Sequence, residues 1–168
     1  MFGDVLLGGG ADTFNSRRGA IDGNIRGGDG NDRIIGSSDD DRIYGEGGAD
    51  ILTGGAGQDT FVFTSSAPSL AEVDKITDFN HDDDVFELQF FSIFRHIGSL
   101  QKTEFRAIAD PDSTTGVTAA TRILYDKADG DIFFDRDGSG TKYDRVELAH
   151  VQPNTVIDYT DFQLGLSI

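Results

Sequence analysis

Asp32, Asp41, Asp50 and Asp59 stand nine residues apart, and two residues after each comes an apolar side chain, Ile34, Ile43, Leu52 or Phe61. The blocks that carry them run without a break from Gly27 to Val62 as GGDGNDRII, GSSDDDRIY, GEGGADILT and GGAGQDTFV. Carboxylates repeated at a fixed period are groups for holding positive charge. Stacked at strand spacing, roughly 4.8 Å per layer, they repel one another unless a cation lies between them. Glycine turns also direct backbone carbonyls inward. Carboxylate and carbonyl oxygens together are the donors preferred by a hard cation of calcium's size and flexible coordination, so the chemistry implied is binding of Ca²⁺.

The elements that must position these aspartates follow from the same blocks. The first six residues of each are rich in glycine and acid, and glycine permits the positive φ angles of a tight turn. The last three hold the apolar anchor and suit a short strand. One block is therefore turn plus strand, and two make one coil of a flattened parallel solenoid. Equivalent places on one edge are then two blocks apart, which stacks Asp32 near Asp50 and Asp41 near Asp59.

Residues 3–26 read as decayed repeats. Asp12 and Phe14 keep the spacing, but Asp12 lies further before Asp32 than one coil allows, and the two extra residues are expected to bulge around Asn15 to Arg18. Gly23 stands where the next aspartate belongs, with Asp22 as its substitute. After Phe63 the composition changes: 16 of the 22 glycines lie in residues 1–62 and ten of the 13 phenylalanines lie beyond them. A solenoid of residues 1–63 and a second region of residues 64–168 with a conventional side-chain core are expected. In that second region the best strands are Val73–Phe79, Val85–Leu88, Arg122–Tyr125, Asp131–Phe134 and Tyr143–Leu148. Phe90–Ile97 suits a short helix, and Thr64–Ala71 and Asp110–Gly116 read as loops. The fold class is all-β: a parallel β-roll followed by a mainly antiparallel β-rich cap with at most short helices. An open parallel edge invites aggregation, and the phenylalanine-rich region is placed to cover it.

A net charge of −16 over 168 residues, with an isoelectric point near 4.2, excludes a nucleic-acid role, which needs clustered Lys and Arg. Much of the acid falls at the repeat turns, where bound ions offset it and where their removal leaves a loose chain. No cysteine is present, so no disulfide framework holds the fold. Met1–Leu7 is too short and glycine-interrupted for a signal peptide, and no apolar run is long enough to span a bilayer as a helix.

The blocks resemble the RTX nonapeptide GGxGxDxUx, which builds the calcium-binding parallel β-roll of secreted bacterial proteins. The resemblance implies that carbonyls at places two and four and Asp at place six of one block share an ion with carbonyls at places one and three and Asp at place six two blocks on. On one edge this gives Gly28, Gly30 and Asp32 with Gly45, Gly47 and Asp50. On the other it gives Ser37, Asp39 and Asp41 with Gly54, Ala56 and Asp59, and here Ser37 and Asp39 depart from the usual glycine. A third set on the first edge is Gly8, Gly10 and Asp12 with Gly27, Asp29 and Asp32, for about three Ca²⁺ ions in the roll. Residues 64–168, with Asp74–Phe79, Arg122–Asp126, Phe134–Gly140 and Asp161-Phe162, are similar to the C-terminal region of serralysin-type proteases. Such resemblance implies an extracellular protein exported by type I secretion machinery through a C-terminal signal. A polysaccharide- or surface-binding module, as in alginate epimerases and adhesins, is the alternative.

Other groups carry less. Asp135, Asp137, Ser139 and Gly140 imitate the start of an EF-hand loop, but Val146 stands where the bidentate Glu belongs, and a hairpin connection suits the segment equally. His81, His96 and His150 are scattered, without HExxH, and read as surface or cap residues. Asp82-Asp83-Asp84 reads as a solvated turn or a peripheral calcium site. With no nucleophilic triad and no Walker loop, the chain is expected not to be an enzyme.

Overall fold

The computed structural model describes residues 3–19, 21, 23–64, 72–89, 98–108, 117–118, 120–135 and 145–165. The apolar anchors set its architecture. Each three-residue anchor run lies beside its equivalent in the next coil, and the coils build two facing sheets.

The first sheet holds β1 (Val5–Gly9), β3 (Asn24–Asp29), β5 (Arg42–Gly47), β7 (Thr60–Phe63) and β9 (Val85–Leu88), all parallel. The second holds β2 (Thr13–Asn15), β4 (Arg33–Ile35), β6 (Ile51–Thr53) and β8 (Asp74–Ile76), also parallel. Register places Ile25, Ile43, Phe61 and Phe86 in one interior file. Ile34, Leu52 and Ile76 form the facing file. All seven are at most 1% exposed, and burial of such a side chain stabilises by about 1.5–3 kcal/mol.

Both sheets continue across Phe63, where the composition changes. Thr60 of β7 pairs with Val85 of β9, and Ile51 of β6 pairs with Lys75 of β8. Beyond them β15 (Phe162–Leu164) adds in parallel to β9, and β10 (Gly98–Ser99) pairs antiparallel with β15. On the second sheet β14 (Arg145–His150) adds in parallel to β8. There β13 (Asp131–Asp135) and β12 (Ile123–Asp126) form antiparallel pairs, and β11 (Phe105–Ile108) closes the order. The last coil is thus covered by strands of the C-terminal region. Phenylalanines thicken the core there: Phe86 stacks on Phe79 at 4.3 Å between ring centroids and on Phe162 at 5.2 Å.

Of the strands expected after residue 72, β9 has the expected bounds, β13 runs one residue further to Asp135, β8 is shorter, and β12 and β14 end one and two residues later than expected. The coil that begins at β1 is longer than the next. The exposed turn Arg17–Gly19 holds that length, closed by Gly19 N donating to Ser16 O at 2.8 Å. The expected helix Phe90–Ile97, the loop Asp110–Gly116, all but Thr64 of the loop Thr64–Ala71, and residues 136–144 of the EF-hand-like segment lie outside the described residues.

Candidate metal centre

Each turn joins the two sheets at one of the roll's two edges, and all but the one before β3 end on an aspartate at or just before the start of a strand. On the first edge the aspartates form a chain of hydrogen bonds: Asp12 N donates to Asp32 Oδ1 at 2.8 Å, Asp32 N to Asp50 Oδ1 at 2.8 Å, and Asp50 N to Asp74 Oδ1 at 3.0 Å. On the second edge Asp41 N donates to Asp59 Oδ1 at 2.9 Å, and Asp59 N to Asp84 Oδ1 at 3.0 Å. Each of these accepting carboxylates commits one oxygen to the preceding coil and keeps the other for the turn. Asp32, Asp41, Asp50 and Asp59 are all 1–2% exposed.

The second oxygens lie against the glycine that opens their own block. A methyl group on Gly27 would overlap Asp32 Oδ2 and come within 2.7 Å of Gly45 O. On Gly45 it would overlap Asp50 Oδ2 and reach 3.0 Å from Asp74 Oδ2, and on Gly54 it would overlap Asp59 Oδ2. Carbonyls fill the rest of the gap between coils. The oxygens of Gly8 and Gly10 press on Gly28 and Gly30, and Ser37 O presses on Gly55. Asp29 O and Gly47 O point the other way and accept from Gly10 N and Gly30 N at 2.8 and 2.6 Å. Each gap is therefore lined by carboxylate and carbonyl oxygens from both neighbouring coils.

Among the described residues, Asp32 Oδ2, Asp41 Oδ1 and Asp50 Oδ2 are buried with no hydrogen-bond partner. A buried, unpaired carboxylate oxygen is costly unless a cation meets it. This donor set, all oxygen and mixed between charged and neutral, fits Ca²⁺. Residues on one edge, Gly8, Gly10, Asp12, Gly27, Gly28, Asp29, Gly30, Asp32, Gly45, Gly47 and Asp50, are brought together in successive turns. Ser37, Asp39, Asp41, Gly54, Ala56 and Asp59 are brought together on the other.

Two turns depart from the pattern. Places two and four are left-handed at Gly28 and Gly30 (φ 102° and 121°) and at Gly55 and Gly57 (φ 118° and 112°). Ser37 and Asp39 do not take that conformation. Instead Ser37 N donates to Asp41 Oδ2, and Asp39 N donates to Ser37 Oγ at 3.1 Å. In the turn after β2, Asp4 rather than an aspartate of the block fills the space beside Gly23, accepting from Asn24 N at 2.9 Å. Asp22 lies outside the described residues.

Asp74 and Asp84 are the residues that the nine-residue period misses. They head the triplets Asp74-Lys75-Ile76 and Asp84-Val85-Phe86, which keep the spacing of aspartate and anchor. Their turns are longer, however, so each stands more than two blocks after its partner, Asp50 or Asp59. Asp84, expected as part of a solvated turn, is 5% exposed, whereas Asp82 and Asp83 are exposed. Asp78 closes the same end of the roll by accepting from Gly54 N at 2.9 Å and Gly55 N at 3.0 Å.

Crowding of like charge shows in the ionisation of these groups. Burial, and then the neighbouring carboxylates of Asp84, Asp41 and Asp78, push Asp59 up to about 7. Burial followed by the Asp50 charge raises Asp74 well above the carboxylate range, and burial raises Asp50 and Asp84 as well. Without a cation, this array holds protons near neutral pH that isolated carboxylates would release.

Residues 26–61 match the family model of the RTX calcium-binding nonapeptide repeat in four copies. The chain carries an RTX calcium-binding β-roll. No curated protein matches the chain. The matched residues of the RTX roll span its two most regular coils, and Asp74 and Asp84 carry the aspartate ladder beyond them.

Of the three histidines, His81 pairs with Asp161 at 2.8 Å and His150 with Asp131 at 2.7 Å, and His96 lies outside the described residues. On the outer surface of the roll, the Arg26 and Arg42 guanidinium groups sit 3.9 and 5.4 Å from the Tyr44 ring centroid. Tyr44 is left 3% exposed. Among the described residues, no helix is long and apolar enough to cross a membrane.

Proposed function

We propose that this chain is a non-enzymatic calcium-driven folding module that supports type I secretion of an exoprotein and becomes ordered outside the cell. The observation that carries the reading is the set of buried, unpartnered carboxylate oxygens of Asp32 and Asp50, one coil apart on one edge, and of Asp41 on the other. Ions bind these groups only when the coils are stacked, because each gap takes oxygens from two coils. Sites of extracellular type bind at about 10⁻⁴ to 10⁻³ M, so the low free calcium of the cytosol leaves the turns repelling one another and the chain open for export.

Outside, each occupied site shifts folding by RT ln(1 + [Ca²⁺]/Kd), about 1.4 kcal/mol when free calcium is tenfold over Kd. Several sites on one ladder add these gains into a switch of several kcal/mol. The reading against polysaccharide binding rests on Tyr44, whose ring is covered by two arginines and offers no open stacking platform. Far-UV circular dichroism of the purified chain tests the switch. Strand signal should appear on addition of calcium and disappear with chelator, and a spectrum indifferent to both sinks the reading. Export is tested separately by expressing the chain beside a type I apparatus, where its retention in the cytosol would remove the secretion role.

A further inference from the structure

We propose that Asp131, Glu147 and His150 hold one transition-metal ion of the zinc class on the second sheet, apart from the calcium-binding turns of the roll. The strand register builds this group. Asp131 of β13 pairs directly with His150 of β14, and Ile132 pairs with Ala149, but Phe133 then pairs with Glu147, so Leu148 has no partner. A regular strand alternates faces, which would put Glu147 and His150, three apart, on opposite sides. The bulge at Leu148 turns both Leu148 and Ala149 inward, where they are 3% and 1% exposed. Glu147 is thereby placed on the face of Asp131 and His150. Bulges are used in this way to re-aim a side chain.

One ligand atom from each of the three residues lies within 4.8 Å of the others. His150 Nδ1 is already 2.7 Å from Asp131 Oδ1, and these two side chains are 33% and 23% exposed, so an ion can reach them. An independent observation lies on the next strand. Asp126 of β12 is directly opposite Asp131, and directly opposed residues of an antiparallel pair share a face. Asp126 is completely buried, its Oδ1 accepts from Ala128 N at 2.9 Å, and its Oδ2 has no partner. A carboxylate oxygen left unpaired at that depth, in the row of Asp131 and His150, is what a cation would satisfy.

The donor chemistry separates this group from the roll. One imidazole nitrogen with carboxylate oxygens suits zinc and its neighbours, whereas Ca²⁺ takes oxygen alone. Zinc bonds of about 2.0–2.2 Å require the three side chains to close slightly around the ion. Asp126, opposite Asp131 on the next strand, adds a buried carboxylate to the same face beside the three ligands.

The test is isothermal titration of the full, tag-free chain with zinc chloride in buffer holding millimolar calcium, so that the roll is already saturated. The expected result is one zinc ion per chain, bound at least tenfold more weakly by His150→Gln and by Glu147→Gln. The absence of zinc uptake in calcium buffer, or equal affinity in the wild type and both variants, overturns the proposal. If His150→Gln loses the circular dichroism spectrum of the calcium-loaded chain, Glu147→Gln decides alone, because it keeps size and shape and leaves the His150–Asp131 pair intact. Cobalt chloride gives a second readout: a visible absorption band present in the wild type and lost in Glu147→Gln supports the site, and a band unchanged by the substitution overturns it.

Discussion

The amide of Asp59 donates to Oδ1 of Asp84 at 3.0 Å, the same bond that Asp41 makes to Asp59 at 2.9 Å one coil earlier. Asp84 therefore occupies a rung of the ladder although it lies beyond the four nonapeptides. Asp84→Asn keeps an oxygen to accept that bond and removes the charge, but it puts an amide nitrogen in place of the Oδ2 that accepts from Asn80 N at 2.8 Å. In chelator the relief of repulsion on Asp59 and the loss of that bond oppose each other, so the variant should stay within about 1 kcal/mol of the wild type. In calcium it should gain less, by about 1.4 kcal/mol if one site at tenfold saturation is lost. Urea melts in both conditions measure the two differences, and a variant that matches the wild type in calcium would end the ladder at Asp59.

Gly45 tests the other half of the cradle. A methyl group there would overlap Asp50 Oδ2 and crowd Asp74 Oδ2, while one on Gly9 would meet nothing within 4 Å. Gly45→Ala should cost about 1–3 kcal/mol, the usual penalty of overpacking, and move the calcium midpoint of folding to higher concentration. Gly9→Ala should stay within about 0.5 kcal/mol of the wild type. The comparison is read from calcium titrations followed by circular dichroism.

The period of nine made the roll legible because a single geometric unit, turn plus anchor, is repeated without insertions from Gly27 to Val62. Asp74 and Asp84 obey the same rule at the level of the strand, with Ile76 and Phe86 as their anchors. They were hidden by lengthened turns, since loop length is cheap to change and erases a period. The departure of Ser37 and Asp39 from glycine was visible in sequence, but the hydrogen bond from Ser37 N to Asp41 that replaces the left-handed turn was not. The grouping of Glu147 with His150 depends on a single bulge, and no local pattern announces one.

Proton uptake should partly imitate calcium. Asp59 ionises at about 7 in the metal-free fold, and Asp50, Asp74 and Asp84 are shifted in the same direction. Between the ordinary carboxylate range, near 4, and these raised values, the folded chain binds more protons than the unfolded one. Its stability must then fall as pH rises through that window. In chelator, lowering the pH from 7.5 to 5 should increase strand content, whereas in calcium the same change should weaken ion binding. Circular dichroism at both pH values checks the sign, and an apo chain that gains strand on raising the pH would contradict it.

Phe86 joins the interior file of the roll to the C-terminal region, pairing in register with Phe61 on one side and Phe162 on the other. Its ring is 1% exposed and stacks on Phe79 and Phe162. Phe86→Ala should cost about 3–5 kcal/mol. Because the same two sheets run through both regions, the loss should lower the melting temperature of the roll together with that of residues 72–165. Fluorescence from the tyrosines and far-UV circular dichroism should therefore melt together in calcium, and separate transitions would show that the regions fold independently.

His81 fastens the last described strand to the calcium-binding edge. Its Nδ1 pairs at 2.8 Å with Asp161, which also accepts from Asp158 N at 2.7 Å through Oδ2 and begins the run into β15. The same histidine opens the turn at residues 81–83 that leads into Asp84. The hydrogen bond to Asp161 raises the imidazole above its ordinary value, so the folded chain holds that proton more tightly than the unfolded one. The stabilisation is complete below about 6.5 and is lost as pH rises through the raised folded value. In saturating calcium, which holds the ladder carboxylates ionised, the melting temperature should fall between pH 6 and pH 8. That fall should be absent in His81→Gln, and an equal slope in the variant would assign it to other groups.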